Sequence, residues 1–403
     1  MNTTTSSHPR SEAPALSGPP DPTGYGPRPN PVGSAPVSNA AVLAGVLSLF
    51  LANCGDVGTT AAETSAKPAA PPAAAAPGDP ARAAAFAAEA GKRVEEKPNV
   101  PGDDPAWYFL TRELKQVSLG DFWEKDWKEV ARNQTDPLPS MVEFNDLLKG
   151  KGVELIVAPI PAKATIYPDK LAGGFAPGEA PSLAPFIGKM RAAGLRVIDL
   201  EPVFLARRAS NPDEKLYCEQ DAHYSPLACE IVAELVKKEV ENAEWFQAQA
   251  KEAIVRGEPT ELEITGDQVK GSEWEGRAAR EKLMVRYAGR DNGGRIEPVD
   301  ARRESPVLLI GDSHTLVFQE GASNGMHCKG AGLLDQLAYE FQFPPDHVGV
   351  RGSGMVQARR QLFPVATGTP GYWEGKKLVV WVFSSREFTQ SFDKLISIPI
   401  ERK

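Results

Sequence analysis

Three apolar runs constrain this chain more than any other feature: VELIVAPIP at 153–161, VLLI at 307–310 and LVVWVF at 378–383. A strand with one wet face alternates polar and apolar residues. A nearly continuous apolar run must be covered on both faces, which is the situation of a parallel strand between two layers of helix. The intervening segments supply those helices. LPSMVEFNDLLKGKG (138–152) and APFIGKMRAAG (184–194) carry apolar residues at helical spacing and end in Gly, as helix C-termini often do. LRVIDL (195–200), the helical stretch GLLDQLAYEFQF (332–343) and HVGV (347–350) continue the alternation. Such an order predicts an α/β fold, a doubly wound and mostly parallel sheet flanked by helices. Residues 257–300 break the rhythm. TELEITGDQVKG and EKLMVRYAG read as polar-faced strands, so a small β insertion at the domain edge is expected there.

Composition sets the limits of the folded part. Residues 1–39 and 55–103 are rich in Pro, Ala, Ser, Thr and Gly, as in PNPVGSAPVSNA and AKPAAPPAAAAPGDPARAAAFAAEA. They bury too little apolar surface to offset the entropy of ordering. The expected organisation is therefore a disordered leader (1–39), a short apolar segment (40–54), a disordered Ala/Pro tether (55–103) and one domain (104–403). AAVLAGVLSLFLA at 40–52 is short for a membrane span and suits a signal-peptide core or short anchor, placing the domain in the periplasm or cell envelope. The formal charge of −8 offers no basic footprint for nucleic acid. Cys54, Cys218, Cys229 and Cys328 show no metal-binding spacing, and if the protein is exported a disulfide among the last three is open.

In open parallel sheets, reactive groups gather beyond the carboxyl ends of the strands. That rule points to Pro159–Lys163, Gly311–His314, Arg351–Gly354 and Ser384–Arg386. Ser313 follows an apolar strand directly. A serine hydroxyl needs a base to remove its proton, and a histidine in that role is best held by a carboxylate. Five histidines compete. His8 lies in the leader, and His327 and His347 sit in segments that read as loops. His314 adjoins Ser313, and neighbours at a tight turn rarely aim at each other, so a wall of the site or a substrate contact fits it better. His223 remains, in Asp221-Ala-His223-Tyr-Ser-Pro. Two residues apart in extended backbone, Asp221 and His223 share a face. Ser225-Pro226 then reads as a helix cap with Pro at the first helical position.

The ordered series WYFLTRELKQVSLGDFW, DPLP, VELIVAPIPAKATIYPDKL, DAHYSP, LLIGDSHT and LVVWVF resembles the SGNH hydrolase-like domain of the AlgX/AlgJ family of polysaccharide O-acetyltransferases. The resemblance implies an SGNH-type fold with Ser313 as nucleophile, His223 as general acid/base and Asp221 as its orienting acid. It implies transfer of acetyl groups to hydroxyls of an exopolysaccharide, alginate-like, through an acetyl-serine, with a membrane-bound O-acyltransferase supplying the acetyl group. A carbohydrate acetylesterase with the same triad, or a non-catalytic glycan-binding scaffold, are the alternative expectations. No cofactor and no metal are expected. Backbone N–H groups of Ser313 and of Gly352 or Gly354 are candidate oxyanion donors, an ordinary turn being the other reading of those glycines. Lys163, His314 and Arg386 are candidate groove residues for a sugar polymer, with a solvated or structural role as the reading that weighs more for each.

Overall fold

The computed structural model describes residues 78–394 and 397–402. The expected leader, the apolar segment 40–54 and the first part of the tether lie outside them. The elements that build the domain are α1 (Pro80–Lys92), α2 (Leu138–Lys149), β1 (Glu154–Ile160), α3 (Ala184–Ala192), β2 (Arg196–Val197), α4 (Pro226–Val240), β3 (Val307–Gly311), α5 (Leu333–Phe341), β4 (Asp346–Gly349), α6 (Gln357–Gly368) and β5 (Leu378–Ser384). The five strands form one sheet in the order β4-β3-β5-β1-β2. Every pairing in it is parallel.

The apolar runs behave as two-faced strands. Ile156, Ala158, Ile160, Leu309, Val380 and Val382 join one core, shared with Phe86 of α1, Val232 and Val236 of α4, and Leu334 and Leu337 of α5. The alternate residues Leu155, Val157, Leu308, Ile310, Val379 and Trp381 join a second core with Phe144 of α2, Met190 of α3 and Leu362 of α6. Each strand thus fills both cores by its period of two. The register aligns the strand ends. Gly311 pairs with Val382, and Ser384 with Ile160, so the segments after β1, β3 and β5 emerge side by side at one rim.

Two expectations shift. The ordered domain begins before Asp104, because α1 and the short strand Asn99–Pro101 fall inside the stretch read as tether. The Asp79 side chain accepts from the Ala81 N–H, Pro80 starts the helix, and the Ala-rich sequence favours helix once Phe86 has a core to enter. His347 lies in β4, the strand expected at HVGV, and not in the loop that its own position suggested; its Nε2 is 2.9 Å from the Thr315 hydroxyl.

The insertion forms the expected strands. Thr260–Ile264 pairs with Glu281–Val285, and Ala288–Asn292 pairs with Arg295–Glu297 and Val255–Arg256, all antiparallel. Cys218, Cys229 and Cys328 are free thiols. Among the described residues no helix is long and apolar enough to cross a membrane.

Phe86 is fully buried, whereas Met284 on the insertion is 57% exposed. Phe86→Ala is expected to lower unfolding free energy by about 3–5 kcal/mol in a denaturant titration. Met284→Ala should stay within about 0.5 kcal/mol of wild type.

Candidate active site

The segment Leu216–Ser225 folds back on itself. Ser225 N–H donates to Leu216 O at 2.9 Å and Cys218 N–H to His223 O at 3.2 Å, leaving residues 219–222 as a tip. Polar backbone at the tip is buried, so its carbonyls need donors. Lys163, just past β1, provides them. Its ammonium donates to Cys218 O (3.0 Å), Glu219 O (3.2 Å), Asp221 O (2.8 Å) and the Gln268 side chain (2.9 Å). Ser225 then caps α4 through the Ala228 N–H, with Pro226 next, as its sequence predicts.

Asp221 and His223 meet by a local turn and not by strand alternation. Asp221 Oδ1 accepts both the His223 N–H (3.1 Å) and the His223 Nδ1–H (2.5 Å). Its Oδ2 accepts the Asp267 N–H (2.9 Å) and the His327 Nε2–H (2.8 Å). This carboxylate is fully buried and all four of its lone pairs are met. Burial works against its ionisation, but the charge and hydrogen bond of His223, and then those of His327, outweigh burial and hold the carboxyl well below the usual range. With Nδ1–H committed to Asp221, Nε2 of the neutral His223 is the acceptor, and the Ser313 hydroxyl lies 2.7 Å from it. Burial would lower the proton affinity of His223; the Asp221 charge and hydrogen bond reverse that and raise its pKa to about 9. A serine, a histidine and a carboxylate are thus joined in sequence by two hydrogen bonds, the arrangement that can activate a hydroxyl for attack on a carbonyl.

Around Ser313 the Gly-Asp-Ser turn repeats the same local device. Asp312 Oδ1 accepts the His314 N–H (3.0 Å) and the His314 Nδ1–H (2.9 Å), while Oδ2 accepts the Ser384 N–H (2.8 Å). Asp312 therefore ties the end of β3 to the end of β5. His314 turns away from Ser313, its ring packed 4.9 Å from that of His223 and 5.0 Å from that of Tyr224. Burial lowers its proton affinity despite Asp312. Gly354 packs against this turn. A Cβ there would sit 2.5 Å from that of Phe383 and 3.0 Å from Asp312 N, so only glycine lets the loop close on the serine turn. Gly352 has φ +102°, open to glycine alone. Among the described residues the N–H groups of Ser313, Gly352 and Gly354 have no protein acceptor.

Ser313, His223 and Asp221 come together, and Gly354 adjoins them. The three candidate groove residues are buried, which fits a structural role and not a groove. Lys163 is fully buried beneath the Asp221 loop, His314 is 1% exposed, and Arg386 is 5% exposed. Arg386 faces Glu113 at 3.5 Å and the Gly352 carbonyl at 3.5 Å. Lys163 and Arg386 meet buried acceptors that the sequence does not reveal, and His314 is held by Asp312 two residues before it. Sequence reasoning missed His327 and Asp267 altogether. His327 lies in a glycine-flanked loop with no pattern around it, and Asp267 belongs to the insertion, whose sequence says nothing of where its turn reaches. Asp267 keeps an exposed face, yet its carboxylate stands among protein atoms, and that crowding, then the Asp221 charge, raises its pKa to about 6. Asp221, His223 and Asp267 bring one possible ligand atom each within 4.8 Å of one another. Both ring nitrogens of His223 and both oxygens of Asp221 are already engaged, so a cation would have to break these bonds, and the set does not fit a resident metal.

Two measurements check these energetics. Lys163→Met leaves the buried carbonyls of Cys218 and Asp221 without their donor and should cost about 3 kcal/mol or more in a denaturant titration. The His223 pKa is raised on folding, so its share of stability is complete below about pH 6.5 and is lost as pH climbs towards 9. Unfolding midpoints should fall across that window, and the fall should shrink in Asp221→Asn, which removes the charge that raises His223.

A family model described as an SGNH hydrolase-like domain, acetyltransferase AlgX, matches residues 100–326. Probable alginate O-acetylase AlgJ of Pseudomonas aeruginosa is 28% identical over 163 residues, which cover 40% of this chain and 38% of that protein. The protein of the same description from Pseudomonas syringae pv. tomato is 24% identical over 170 residues, 42% of this chain and 38% of its own length. The matched stretch thus spans under two-fifths of these curated relatives. The O-acetyltransferase domain of Pseudomonas putida AlgJ superposes with a TM-score of 0.52 at 19% identity, covering 73% of this chain and 93% of that one, which establishes a shared fold. Since the family model spans more than half of the chain, the protein belongs to the SGNH hydrolase-like AlgX acetyltransferase family.

Proposed function

We propose that the protein is an O-acetyltransferase that moves acetyl groups onto hydroxyls of an exopolysaccharide through an acetyl-serine on Ser313. The observation that carries this reading is the chain of two short hydrogen bonds, Ser313 Oγ to His223 Nε2 (2.7 Å) and His223 Nδ1 to Asp221 Oδ1 (2.5 Å), at the carboxyl rim of a parallel sheet. Membership of a family described by its acetyltransferase supports the choice of acetyl as the group moved. The curated relatives are described as alginate O-acetylases, which favours an alginate-like acceptor.

In the first half of the reaction, His223 Nε2 takes the Ser313 proton as Oγ attacks the acetyl carbonyl. The tetrahedral oxyanion is met by the N–H of Ser313 and that of Gly354 or Gly352, each donor contributing about 3–4 kcal/mol. Collapse expels the donor's alkoxide or thiolate, which takes the proton back from His223 and leaves acetyl-Ser313. In the second half a sugar hydroxyl gives its proton to His223 and attacks the acetyl-serine. A second tetrahedral intermediate then collapses, Ser313 recovers its proton, and the acetylated sugar departs. Asp221 holds the imidazole in the required tautomer and stabilises the imidazolium in both halves. The acetyl group arrives from a membrane-bound O-acyltransferase, with the domain exported to the cell envelope.

Ser313→Ala should lower acetyl transfer by at least about a thousandfold. The same substitution should abolish labelling by a sulfonyl fluoride. Acetate release from an activated acetyl ester separates transferase from esterase: acceptor polysaccharide should divert acetyl from water to sugar. Equal acetate release with and without acceptor would overturn the transferase reading in favour of an acetylesterase. Full acetylation retained in cells that carry Ser313→Ala would leave only a glycan-binding scaffold.

A further inference from the structure

Ser–His–Asp chemistry asks for one histidine on the carboxylate, and Asp221 carries two. The second is delivered at a conformational cost. Cys328 N–H donates to Met326 O across His327 at 2.8 Å, which closes a three-residue turn. His327 sits at its centre with φ +62°. A turn of this hand is rare and strained, and a non-glycine residue in the left-handed region persists only where its surroundings insist on it. Phe318, fully buried, supports the ring from 5.3 Å and is itself left-handed at φ +59°. The side chain of His327 is 8% exposed, at the wall of a cleft of about 340 Å³ that Asp267 and Lys270 also line. The strained residue of the loop is thus the one that makes the polar contact His327 Nε2–H to Asp221 Oδ2 at 2.8 Å.

We infer that His327 is a positioning residue for acyl transfer: it clamps the outer oxygen of Asp221 so that the inner oxygen stays aimed at His223. The inference rests on the reading of Ser313, His223 and Asp221 proposed above. A carboxylate can turn about its Cβ–Cγ bond, and Asp221 Oδ1 serves two donors of one residue, the His223 N–H and Nδ1–H. The Asp267 N–H alone leaves one lone pair of Oδ2 open. The second histidine fills it and fixes the plane of the carboxylate, hence the plane of the imidazole that faces Ser313. Outer partners of this kind, where they orient a histidine, typically matter by about ten- to a hundredfold.

The test compares two amides in the full chain. In His327→Gln the amide nitrogen takes the place of imidazole Nε2 and keeps the donor. In His327→Asn the amide corresponds to Nδ1 and falls short of Asp221, while asparagine tolerates the left-handed backbone better than most residues. Acetyl transfer and the rate of Ser313 sulfonylation are read for each, alone and combined with Asp221→Asn. His327→Asn is expected to lose about ten- to a hundredfold in kcat and in labelling rate with KM nearly unchanged, and His327→Gln to recover most of it. In the Asp221→Asn background His327→Asn should cost nothing further, because its effect passes through that carboxylate. Wild-type protein that labels at Ser313 while His327→Asn labels as fast overturns the positioning role and leaves the proposed reaction standing. Losses that are equal for Gln and Asn, or that add to those of Asp221→Asn, also overturn it. Failure of wild-type Ser313 to label overturns both readings together.

Discussion

A carboxylate sealed inside a protein is tolerable only when each lone pair meets a donor, and the satisfaction of Asp221 is the condition on which the site depends. The donors come from three parts of the chain that are remote in sequence: His223 beside it, Asp267 in the insertion, and His327 in the loop after β3. Lys163 adds a fourth from below by holding the backbone of the same turn. The insertion and the strained loop are therefore parts of the site. Without them the buried anion would be left short of partners at Oδ2, and its hold on the histidine that faces Ser313 would loosen. Burial also gives the arrangement its strength, because charge-assisted hydrogen bonds gain where water is excluded.

The chain contains the Asp-x-His pattern twice, and the two copies show how environment decides role. In both, the first oxygen of the Asp takes the backbone N–H and the Nδ1–H of the histidine two residues on. Asp221 spends its other oxygen on donors from outside the sheet. Asp312 spends its own on the Ser384 N–H, a structural tie between strand ends. His223 keeps a Nε2 that meets a hydroxyl, whereas the Nε2 of His314 is buried without a partner among the described residues. The proton affinity of His223 is raised and that of His314 lowered, although each has a carboxylate at hydrogen-bonding distance. The difference comes from what surrounds each pair: Asp267 adds its charge near His223, while His314 has His223 and Arg386 for neighbours.

The parallel sheet was legible because a two-faced strand leaves its mark on every residue of VLLI and LVVWVF. The serine turn was legible because it directly follows such a strand. The Asp221–His223 pair was legible as a pair, though for an incomplete reason: the spacing of two works through the side chain of Asp221 bonding its own backbone two residues later, and extended backbone is not required. Lys163 could be read only as a choice between a groove, a solvated and a structural role. A lysine beyond a strand end looks like a solvated residue, and only the tertiary position of three carbonyls makes it an internal clamp. His327 left no signal, since a strained turn depends on contacts made by distant residues and not on its neighbours in sequence. The helix Pro80–Lys92 was hidden by composition. Its Ala-rich sequence is ambiguous until the partner that buries Phe86 is known.

On the proposed reaction, the chemistry of the triad does not choose between sugar and water. A histidine whose pKa is raised to about 9 is mostly protonated at neutral pH, so the base form that an attacking hydroxyl needs is scarce, and that scarcity weighs equally on a sugar hydroxyl and on water. Neither acceptor gains from His223. Selection must then come from proximity, because a hydroxyl held beside the acetyl-serine reacts at an effective concentration that free water cannot match once the site is closed to it. The insertion borders one cleft near the triad, on the His327 side of Asp221. Its residues Asp267 and Gln268 already touch the Asp221 loop, and its Glu263, Lys270 and Arg280 line the cleft beyond His327. That cleft mixes both signs of charge, with Arg280 already paired to Glu263, so it is better suited to hydroxyls and alternating polar groups than to a dense run of carboxylates. The share of recognition that depends on an acidic polymer would then have to be met elsewhere along the rim, and the insertion would select for sugar hydroxyls as such.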